Sequence, residues 1–292
     1  MADKTKIAWT DRTFNPWLGC TRVSPGCVHC YAETLTKRFG NAEWGPQAAR
    51  VKTSELYWKK PLKWNKEKWW ECGCGWRGTF SETIESLGTG DSIVLSCPDP
   101  ECMYICRPTR QRVFCASLAD VFEDNRQVAN WRGELFRLIE QTPNLDWLLL
   151  TKRPERMFSL GTDAVGEIFD LWLDRNPNVW LGATVESPEY YEKRVTDLLS
   201  CGSAVHFISV EPMIGPVRLK QIKMKNVDWV ICGGESGPGC RPMQADWVYD
   251  LKRDCQMGRV KFFMKQLGGH PNKRDQMEDL PEEWQVREFP NV

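Results

Sequence analysis

The stretches VWLGATV, residues 179–185, and VHFISV, residues 205–210, decide the fold of this chain. Each is a short apolar run of strand length, and the segment between them is long enough for one helix. Four similar runs lie at residues 113–117, 146–151, 227–232 and 260–264. Short buried strands that alternate with helices indicate a parallel sheet of βα units. With one more strand just before Cys20, the pattern predicts an α/β fold, a partial or complete (β/α) TIM-like barrel.

Length and composition restrict the class of protein. The chain has 292 residues, enough for one large barrel or two ordinary domains. Lysine plus arginine and aspartate plus glutamate number 39 each, so the overall charge favours neither nucleic acid nor membrane. The N-terminus lacks the apolar core of a signal peptide, and no apolar run has the length of a membrane span. We therefore expect a cytoplasmic protein with no membrane partner.

Polar side chains follow the predicted strands at the point where each strand ends. The carboxyl ends of parallel strands meet at one edge, where barrels and open α/β proteins place their sites. Some of these residues could be helix caps instead, but Lys152 and Glu211 are poor caps. The candidate binding residues are Ser117, Asp120, Lys152, Thr184, Glu186, Ser209, Glu211, Gly233, Gly234 and Glu235.

Three cysteines, Cys20, Cys27 and Cys30, lie close together near the start of the chain. The chain has 13 cysteines, and in a reducing compartment metal ligation explains them better than disulfides. A cubane [4Fe–4S] cluster takes thiolate ligands, and three thiolates leave one iron open to a substrate or cofactor. The alternative is a structural zinc site that His29 or a distant residue completes.

A second group of cysteines interrupts the pattern of strands and helices. Its members are Cys72, Cys74, Cys97 and Cys102. Two pairs of cysteines on separate turns are typical of a zinc ribbon with one structural zinc, and Cys106 could replace one ligand. An auxiliary iron–sulfur cluster or unliganded thiols are the alternatives. We predict an inserted zinc-ribbon-like module at residues 68–110, with the barrel formed by residues 1–67 and 111–292.

Residues 50–70 combine basic and aromatic side chains. The segment holds seven basic and two acidic residues, and its aromatic residues are Tyr57, Trp58, Trp64, Trp69 and Trp70. Basic groups for phosphates and aromatic faces for unpaired bases form a known nucleic-acid pattern. The alternative is a solvated helix face whose tryptophans pack inward.

With these motifs in view, the chain resembles the phage Gp37/Gp68 family, the three-Cys-motif proteins (DUF5131), a divergent branch of the radical S-adenosylmethionine (SAM) superfamily. The resemblance is most specific in TFNPWLGC, residues 13–20, and GCVHCYA, residues 26–32. It continues in FCASLADVF (114–122), LLTKRP (149–154), LGATVE (181–186), SVEP (209–212) and GGESG (233–237). One departure is the six-residue interval between the first two cysteines, where the superfamily commonly has three.

The resemblance implies a radical SAM type of barrel and the chemistry of that superfamily. Cys20, Cys27 and Cys30 would hold a [4Fe–4S] cluster that cleaves SAM reductively to a 5′-deoxyadenosyl radical. The candidate binding residues named above would contact SAM, and His29 would lie against its adenine unless it is a cap or an exposed loop residue. The family also implies a reducing electron donor and a three-Cys-motif partner protein.

We expect the substrate to be a nucleic-acid base or nucleotide in DNA or RNA, which the enzyme modifies or repairs. One alternative is a radical SAM enzyme that acts on a protein or small metabolite. The other alternative is a non-enzymatic nucleic-acid-binding protein whose fold is stabilised by its metal sites.

Two further cysteines are candidate catalytic residues. Cys115 precedes Ser117 by two positions, and such residues face the same side of a strand. A similar run in spore photoproduct lyase, a radical SAM enzyme, uses its cysteine to return hydrogen to a substrate radical. Cys240 is the second candidate. The alternative for Cys115 is a small thiol in the core.

Overall fold

The computed structural model describes residues 5–87, 93–220 and 226–290. The strands are β1 (Arg12–Phe14), β2 (Trp17–Leu18), β3 (Val51–Lys52), β4 (Trp69–Glu71), β5 (Arg77–Thr79), β6 (Ile84–Leu87), β7 (Ile93–Ser96), β8 (Arg107–Thr109), β9 (Gln111–Cys115), β10 (Leu145–Thr151), β11 (Val179–Thr184), β12 (Val205–Val210), β13 (Trp229–Gly233) and β14 (Lys261–Gln266). The α-helices are α1 (Tyr31–Arg38), α2 (Glu55–Trp58), α3 (Lys60–Trp64), α4 (Arg126–Glu140), α5 (Met157–Val165), α6 (Phe169–Arg175), α7 (Pro188–Leu198) and α8 (Ala245–Gly258).

Seven strands form one parallel sheet in the order β1-β9-β10-β11-β12-β13-β14. Each strand from β9 onward lies beside the next one in the chain, as in the wall of a (β/α) barrel. Within the described residues β1 and β14 do not pair with each other, so the sheet is an open half-barrel. The predicted number of strands is confirmed, and of the two predicted forms the partial barrel is the one observed. β12 matches the predicted run, whereas β9 lies two residues earlier than predicted.

Both faces of this sheet are apolar, which explains why its strands read as continuous apolar runs. The inner face carries a cluster of large rings formed by Trp9, Phe114, Trp180, Phe207, Trp229 and Phe263. Trp9 precedes β1, and its ring centroid is 4.5 Å from that of Phe114. The outer face packs against the helices, where Phe136 of α4 and Trp172 of α6 contact each other. The sheet is therefore buried between two apolar layers.

A small module lies outside the main sheet. It consists of the antiparallel sheet β5-β4-β8 and the hairpin of β6 and β7. Arg77 of β5 links it to the N-terminal segment through an ion pair with Asp11 at 3.1 Å. Its strands fall within the predicted insertion, and the boundaries at residues 68 and 110 stay a prediction.

The basic and aromatic segment at residues 50–70 packs its rings inward. Tyr57 stacks on Phe14 with ring centroids 5.2 Å apart, and Trp64 and Trp69 are buried. Arg50 is also buried and pairs with Glu123. The structure therefore favours the packing interpretation of these aromatic residues, while Lys59 and Lys63 remain exposed.

None of the helices in the described parts of the chain combines the length and apolar character that crossing a bilayer requires.

Candidate functional site

A cavity of about 570 Å³ opens at the carboxyl ends of the parallel strands. Its volume lies within the range of roughly 300–1,000 Å³ that small-molecule and cofactor sites occupy. The predicted site residues that line it are Cys20, Cys27, His29, Cys30, Ser117, Asp120, Lys152, Thr184, Ser209, Glu211, Gly234 and Glu235. Glu186, Gly233, Cys115 and Cys240 are described by the structure but do not line it. One surface thus brings together the cysteine loop and most of the polar residues that follow the strands.

The cysteine loop runs from the end of β2 to the start of α1. Gly19 has a φ of +99°, a conformation that favours glycine, and turns the chain into Cys20. A short 3₁₀ turn, Pro25–Cys27, carries the second cysteine, and Cys30 occupies the N-cap of α1. Local turns therefore direct three thiols from one loop towards the cavity.

These cysteines do not form a compact site for a single ion. Of the residues that the structure describes, Cys20, Cys27, Cys30 and His29 include no three whose ligand atoms lie within 4.8 Å of one another. The Nδ1 atom of His29 instead lies 3.0 Å from Glu235 Oε2. His29 is therefore held by a carboxylate at the cavity wall.

Arg153 supplies a positive charge beside Cys20. Its Nη1 atom donates to Cys20 Sγ at 3.6 Å and to Asp120 Oδ2 at 2.7 Å, and its Nη2 atom donates to the carbonyl oxygen of Thr21 at 2.7 Å. Burial and the charge of Asp120 raise the pKa of Cys20 to about 12, although Arg153 acts in the opposite direction. A thiolate at this position therefore depends on nearby positive charge, which Arg153 and a bound metal centre would both provide.

Asp120 holds Arg153 rather than presenting a free carboxylate to the cavity. Its Oδ1 atom accepts from the Thr151 hydroxyl at 2.6 Å, and its Oδ2 atom accepts from the backbone N–H of Lys152 at 3.1 Å. Glu123 lies 3.6 Å from Arg153 and also pairs with the buried Arg50. Two carboxylates and two guanidinium groups thus form a buried charge network behind Cys20.

Glu186 lies beneath the cysteine loop, where it is fully buried. It accepts hydrogen bonds from Ser24 and, at 2.8 Å, from Arg194 Nη1. Lys152 Nζ is 3.6 Å from Glu186 Oε1, so the lysine that follows β10 also contacts this carboxylate. Glu186 therefore supports the loop and does not line the cavity, so a direct contact with a cofactor there stays a prediction.

Glu235 connects His29 to Arg241. Arg241 donates to Glu235 from its backbone N–H at 2.9 Å, from Nε at 2.9 Å and from Nη2 at 2.5 Å. Burial opposes ionisation of Glu235, but the hydrogen bonds from Arg241 and His29 outweigh it and lower its pKa to about 2. A permanently charged carboxylate therefore orients the imidazole of His29 at the cavity wall.

Glu211, which directly follows β12, also lines the cavity. Lys265 Nζ lies 2.5 Å from Glu211 Oε1, and the Ser209 hydroxyl donates to Oε2 at 3.2 Å. A Cβ at Gly233 would lie 2.9 Å from Glu211 Oε1, and one at Gly234 would lie 2.1 Å from the carbonyl oxygen of Leu267. These glycines make room for protein atoms, and Gly234 also lines the cavity, where the approach of a cofactor to the backbone stays a prediction.

Cys115 and Ser117 do not face the same side. β9 ends at Cys115, so the alternation of a strand does not extend to Ser117. Cys115 is fully buried in the apolar layer between sheet and helices, where burial raises its pKa above the usual range. Cys240 is half-buried outside the cavity lining, next to Arg241. The structure thus brings neither predicted hydrogen donor to the cavity.

Trp9 contributes to the cavity wall. It lines the cavity and is almost fully buried, and its indole N–H has no hydrogen-bond partner among the described residues. That N–H is covered by protein atoms, as are the unpaired indole N–H groups of Trp17, Trp69, Trp70, Trp180 and Trp284. Trp9 therefore supplies an apolar surface to the cavity.

The second cysteine group forms a compact site in the small module. The Sγ atoms of Cys72, Cys74, Cys97 and Cys102 all lie within 4.8 Å of one another. Cys72 and Cys102 are 3.5 Å apart, and Cys74 and Cys97 are 3.7 Å apart. Cys106 is buried beside them but does not belong to this set. The four thiols could hold one metal ion.

The comparison with protein families decides the classification of this chain. A family model described as "Protein of unknown function (DUF5131)" matches residues 4–289. The chain belongs to the DUF5131 family. Neither the curated proteins nor the solved structures contain a match. That family description states no activity.

Three residues of the site were not singled out from the sequence. Arg153 was visible only as part of the run LLTKRP, and Arg241 only as a neighbour of Cys240. Trp9 precedes the first strand, and nothing in its local pattern indicates a cavity. Their roles depend on contacts between distant parts of the chain, which no local pattern encodes.

Proposed function

We propose that this DUF5131 protein is a radical SAM enzyme whose [4Fe–4S] cluster is held by Cys20, Cys27 and Cys30. The observation that carries the proposal is the cavity at the carboxyl ends of the half-barrel, into which one loop directs three thiols. A three-cysteine set leaves one iron of a cubane cluster without a protein ligand. Bound together, cluster and SAM would supply a one-electron cleavage that yields methionine and a 5′-deoxyadenosyl radical.

The residues present fit such an occupant. Among the described residues the three thiols do not form a compact single-ion site, and a cluster takes its thiolate ligands on different iron atoms. Arg153 is placed to donate to a coordinated Cys20 sulfur, and hydrogen bonds to ligand sulfurs tune cluster potentials.

The other polar residues have binding roles in this proposal. Lys152 can reach a carboxylate, and the hydroxyl groups of Ser117, Thr184 and Ser209 can donate to or accept from a ribose. His29, oriented by Glu235, would lie against a planar ring such as adenine. Asp120 and Glu186 act indirectly, because they hold Arg153 and the cysteine loop in place.

For the small module we propose structural zinc. A tetrahedral zinc site with Zn–S bonds of about 2.3 Å places its sulfurs roughly 3.8 Å apart. The two measured Sγ–Sγ distances, 3.5 and 3.7 Å, are close to that value. An auxiliary iron–sulfur cluster would need a wider spacing of the thiols.

The proposed substrate is a nucleic-acid base or nucleotide. Support comes from Lys59 and Lys63, whose side chains are exposed although the neighbouring rings pack inward. Lys63 lies on α3, and Lys59 directly precedes that helix. Replacing Lys59, Lys60 and Lys63 with glutamate should weaken binding of single-stranded DNA or RNA at low salt. Unchanged binding by this variant would redirect the search to a protein or small metabolite.

The decisive experiment is anaerobic reconstitution with iron and sulfide, followed by dithionite and SAM. We expect the wild type to bind about four irons at the cysteine loop and to release 5′-deoxyadenosine, detected by mass spectrometry. Cys30→Ala should lose both properties. Cys201→Ala is the matched control, since it removes a buried thiol outside the site and should retain them.

The outcomes separate the candidate functions. A wild-type protein that takes up no iron, but binds zinc at Cys20, Cys27 and Cys30, would contradict the enzyme proposal and favour a metal-stabilised nucleic-acid-binding protein. Some radical enzymes cleave SAM only with substrate present. A loaded cluster without product is therefore assayed again with oligonucleotides, and continued absence of product would also contradict the proposal.

A further inference from the structure

Helix α1 and the turn before it expose a row of apolar side chains. Val28, Tyr31, Leu35 and Phe39 form this apolar row, and they are 48%, 55%, 39% and 62% exposed. Tyr31, Leu35 and Phe39 are spaced by four residues, which places them along one face of α1 and its C-cap. Val28 lies in the turn before the helix. A surface helix normally turns its apolar face to the core, and a contiguous exposed apolar surface marks an interaction site. The apolar row therefore needs a partner.

The apolar row begins inside the cysteine loop. Val28 lies between Cys27 and Cys30, and Tyr31 follows Cys30 and contacts the cavity. The hydroxyl of Tyr31 donates to the carbonyl oxygen of Ser117 at 2.9 Å, which fixes this end of the row against β9's carboxyl end. From Tyr31 to Phe39 the row runs about 12 Å along the helix. A partner seated on it would lie directly beside the three thiols.

The charges around the apolar row favour a partner with a negatively charged surface. Residues 20–40 contain three basic side chains, Arg22, Lys37 and Arg38, and one acidic side chain. That acid, Glu33, is buried and already accepts from Arg22 at 2.8 Å and from Lys37 at 2.7 Å. An apolar centre with a positively charged rim fits an acidic protein surface of complementary shape.

We propose that the apolar row is the docking surface for a small acidic one-electron carrier protein that reduces the cluster. This inference rests on the proposed function, because only a redox centre at Cys20, Cys27 and Cys30 requires a reductant there. Electron transfer slows steeply with distance, so the carrier has to bind against the ligand loop. Electron-transfer partners commonly bind through small, transient interfaces, and a short row of apolar residues is enough for such an interface.

The test uses reduced flavodoxin and a reduced bacterial ferredoxin as probes, with the full-length reconstituted protein. Leu35→Glu and Phe39→Glu should weaken carrier binding by about tenfold, measured by calorimetry. Neither residue lines the cavity. Leu171→Glu is the matched control, an apolar residue of α6 that is 50% exposed. It should bind the carrier as the wild type does.

A second variant tests the charged rim. Arg38→Glu should weaken binding at low salt and approach the wild type at high salt, since exposed charges are screened. It leaves the apolar row itself unchanged, so its effect separates charge from apolar contact. If neither the wild type nor Arg38→Glu changed its affinity for the carrier with salt, the charge complementarity that favours an acidic carrier would be contradicted.

Activity with two reductants separates this inference from the proposed function. With dithionite, Leu35→Glu should form 5′-deoxyadenosine at the wild-type rate, whereas carrier-driven formation should fall by about tenfold. Equal carrier binding by the wild type and both glutamate variants, or no binding of either carrier to the wild type, would overturn the docking surface. Absence of dithionite-driven product from the loaded wild type would instead reject the radical function, while carrier binding is still measured independently.

Discussion

The two cysteine groups of this protein are built in opposite ways. In the small module the four thiols lie within 4.8 Å of one another on short antiparallel strands and turns. In the cysteine loop the three thiols are farther apart and line a cavity of about 570 Å³ above a parallel sheet. The first site could hold a single ion. The second surrounds a space that is larger than any ion.

The comparison shows how the surrounding fold determines what cysteines can do. The module contains few large buried residues besides its cysteines, so a metal would replace a hydrophobic core. The cysteine loop rests on an apolar half-barrel and on the charge network of Arg153 and Asp120, so its shape does not depend on a metal. A closed four-thiol site suits structure, and an open three-thiol site suits chemistry.

Removal of one thiol from the module should have the largest effect. Cys102→Ala should reduce the zinc content from about one ion per chain to near zero and expose residues 68–110 to proteases. Structural zinc contributes roughly 10–16 kcal/mol of apparent binding free energy in small zinc modules. Elemental analysis and limited proteolysis measure both effects. Cys106→Ala, the control, should keep the ion, and equal loss of zinc from both variants would contradict the assignment of ligands.

Arg153→Gln should weaken the cysteine loop without removing a thiol. It leaves the buried carboxylate of Asp120 without its charged partner, which should lower the free energy of unfolding by about 3 kcal/mol. The lost positive charge beside Cys20 should also make the reduction potential of a bound cluster more negative. Urea denaturation and a redox titration measure these changes. Arg153→Lys keeps the charge and should lie between the variant and the wild type in both measurements.

Gly26→Ala should disturb the cysteine loop through a steric clash. A Cβ at this position would lie 2.4 Å from Glu186 Cγ, so the loop or the buried carboxylate has to move. Overpacking of this kind costs about 1–3 kcal/mol. Thermal unfolding and iron uptake should both decline relative to Gly202→Ala, whose methyl group would meet nothing closer than 3.7 Å. An unchanged iron content would show that the cysteine loop tolerates displacement of Glu186.

Glu235→Gln should have the smallest effect, and it should depend on pH. The pKa of Glu235 is lowered in the folded protein from its ordinary value of 4.5 to about 2. The carboxylate therefore stabilises the fold above pH 4.5, and this contribution is lost as the pH falls towards 2. Urea denaturation should show a difference of roughly 1–2 kcal/mol at pH 7 that shrinks below pH 4.5. A difference independent of pH would contradict the ion pair with Arg241.

Much of this architecture follows from local patterns in the sequence. The runs at residues 146–151 and 205–210 correspond to β10 and β12 because continuous apolar runs can only be buried on both faces of a sheet. The polar residues after these strands reach one cavity because parallel strands end at one edge. The aromatic segment at residues 50–70 could not be decided in the same way, since rings that stack on bases and rings that pack inward share one composition.

The sequence by itself determined the parallel βα sheet, the cysteine loop and the four-thiol group, because each depends on residues close together in the chain or on a repeated pattern. Whether the barrel closes was decided by the tertiary structure. Only the tertiary structure decided which groups surround the thiols. Arg153 donates to Cys20 across 133 residues of sequence, and Glu235 reaches His29 across 206. Cys115 faces the helices, and Ser117 lines the cavity instead because the strand ends before it. Such contacts arise when the sheet brings distant strand ends together, and the spacing of residues along the chain does not specify them.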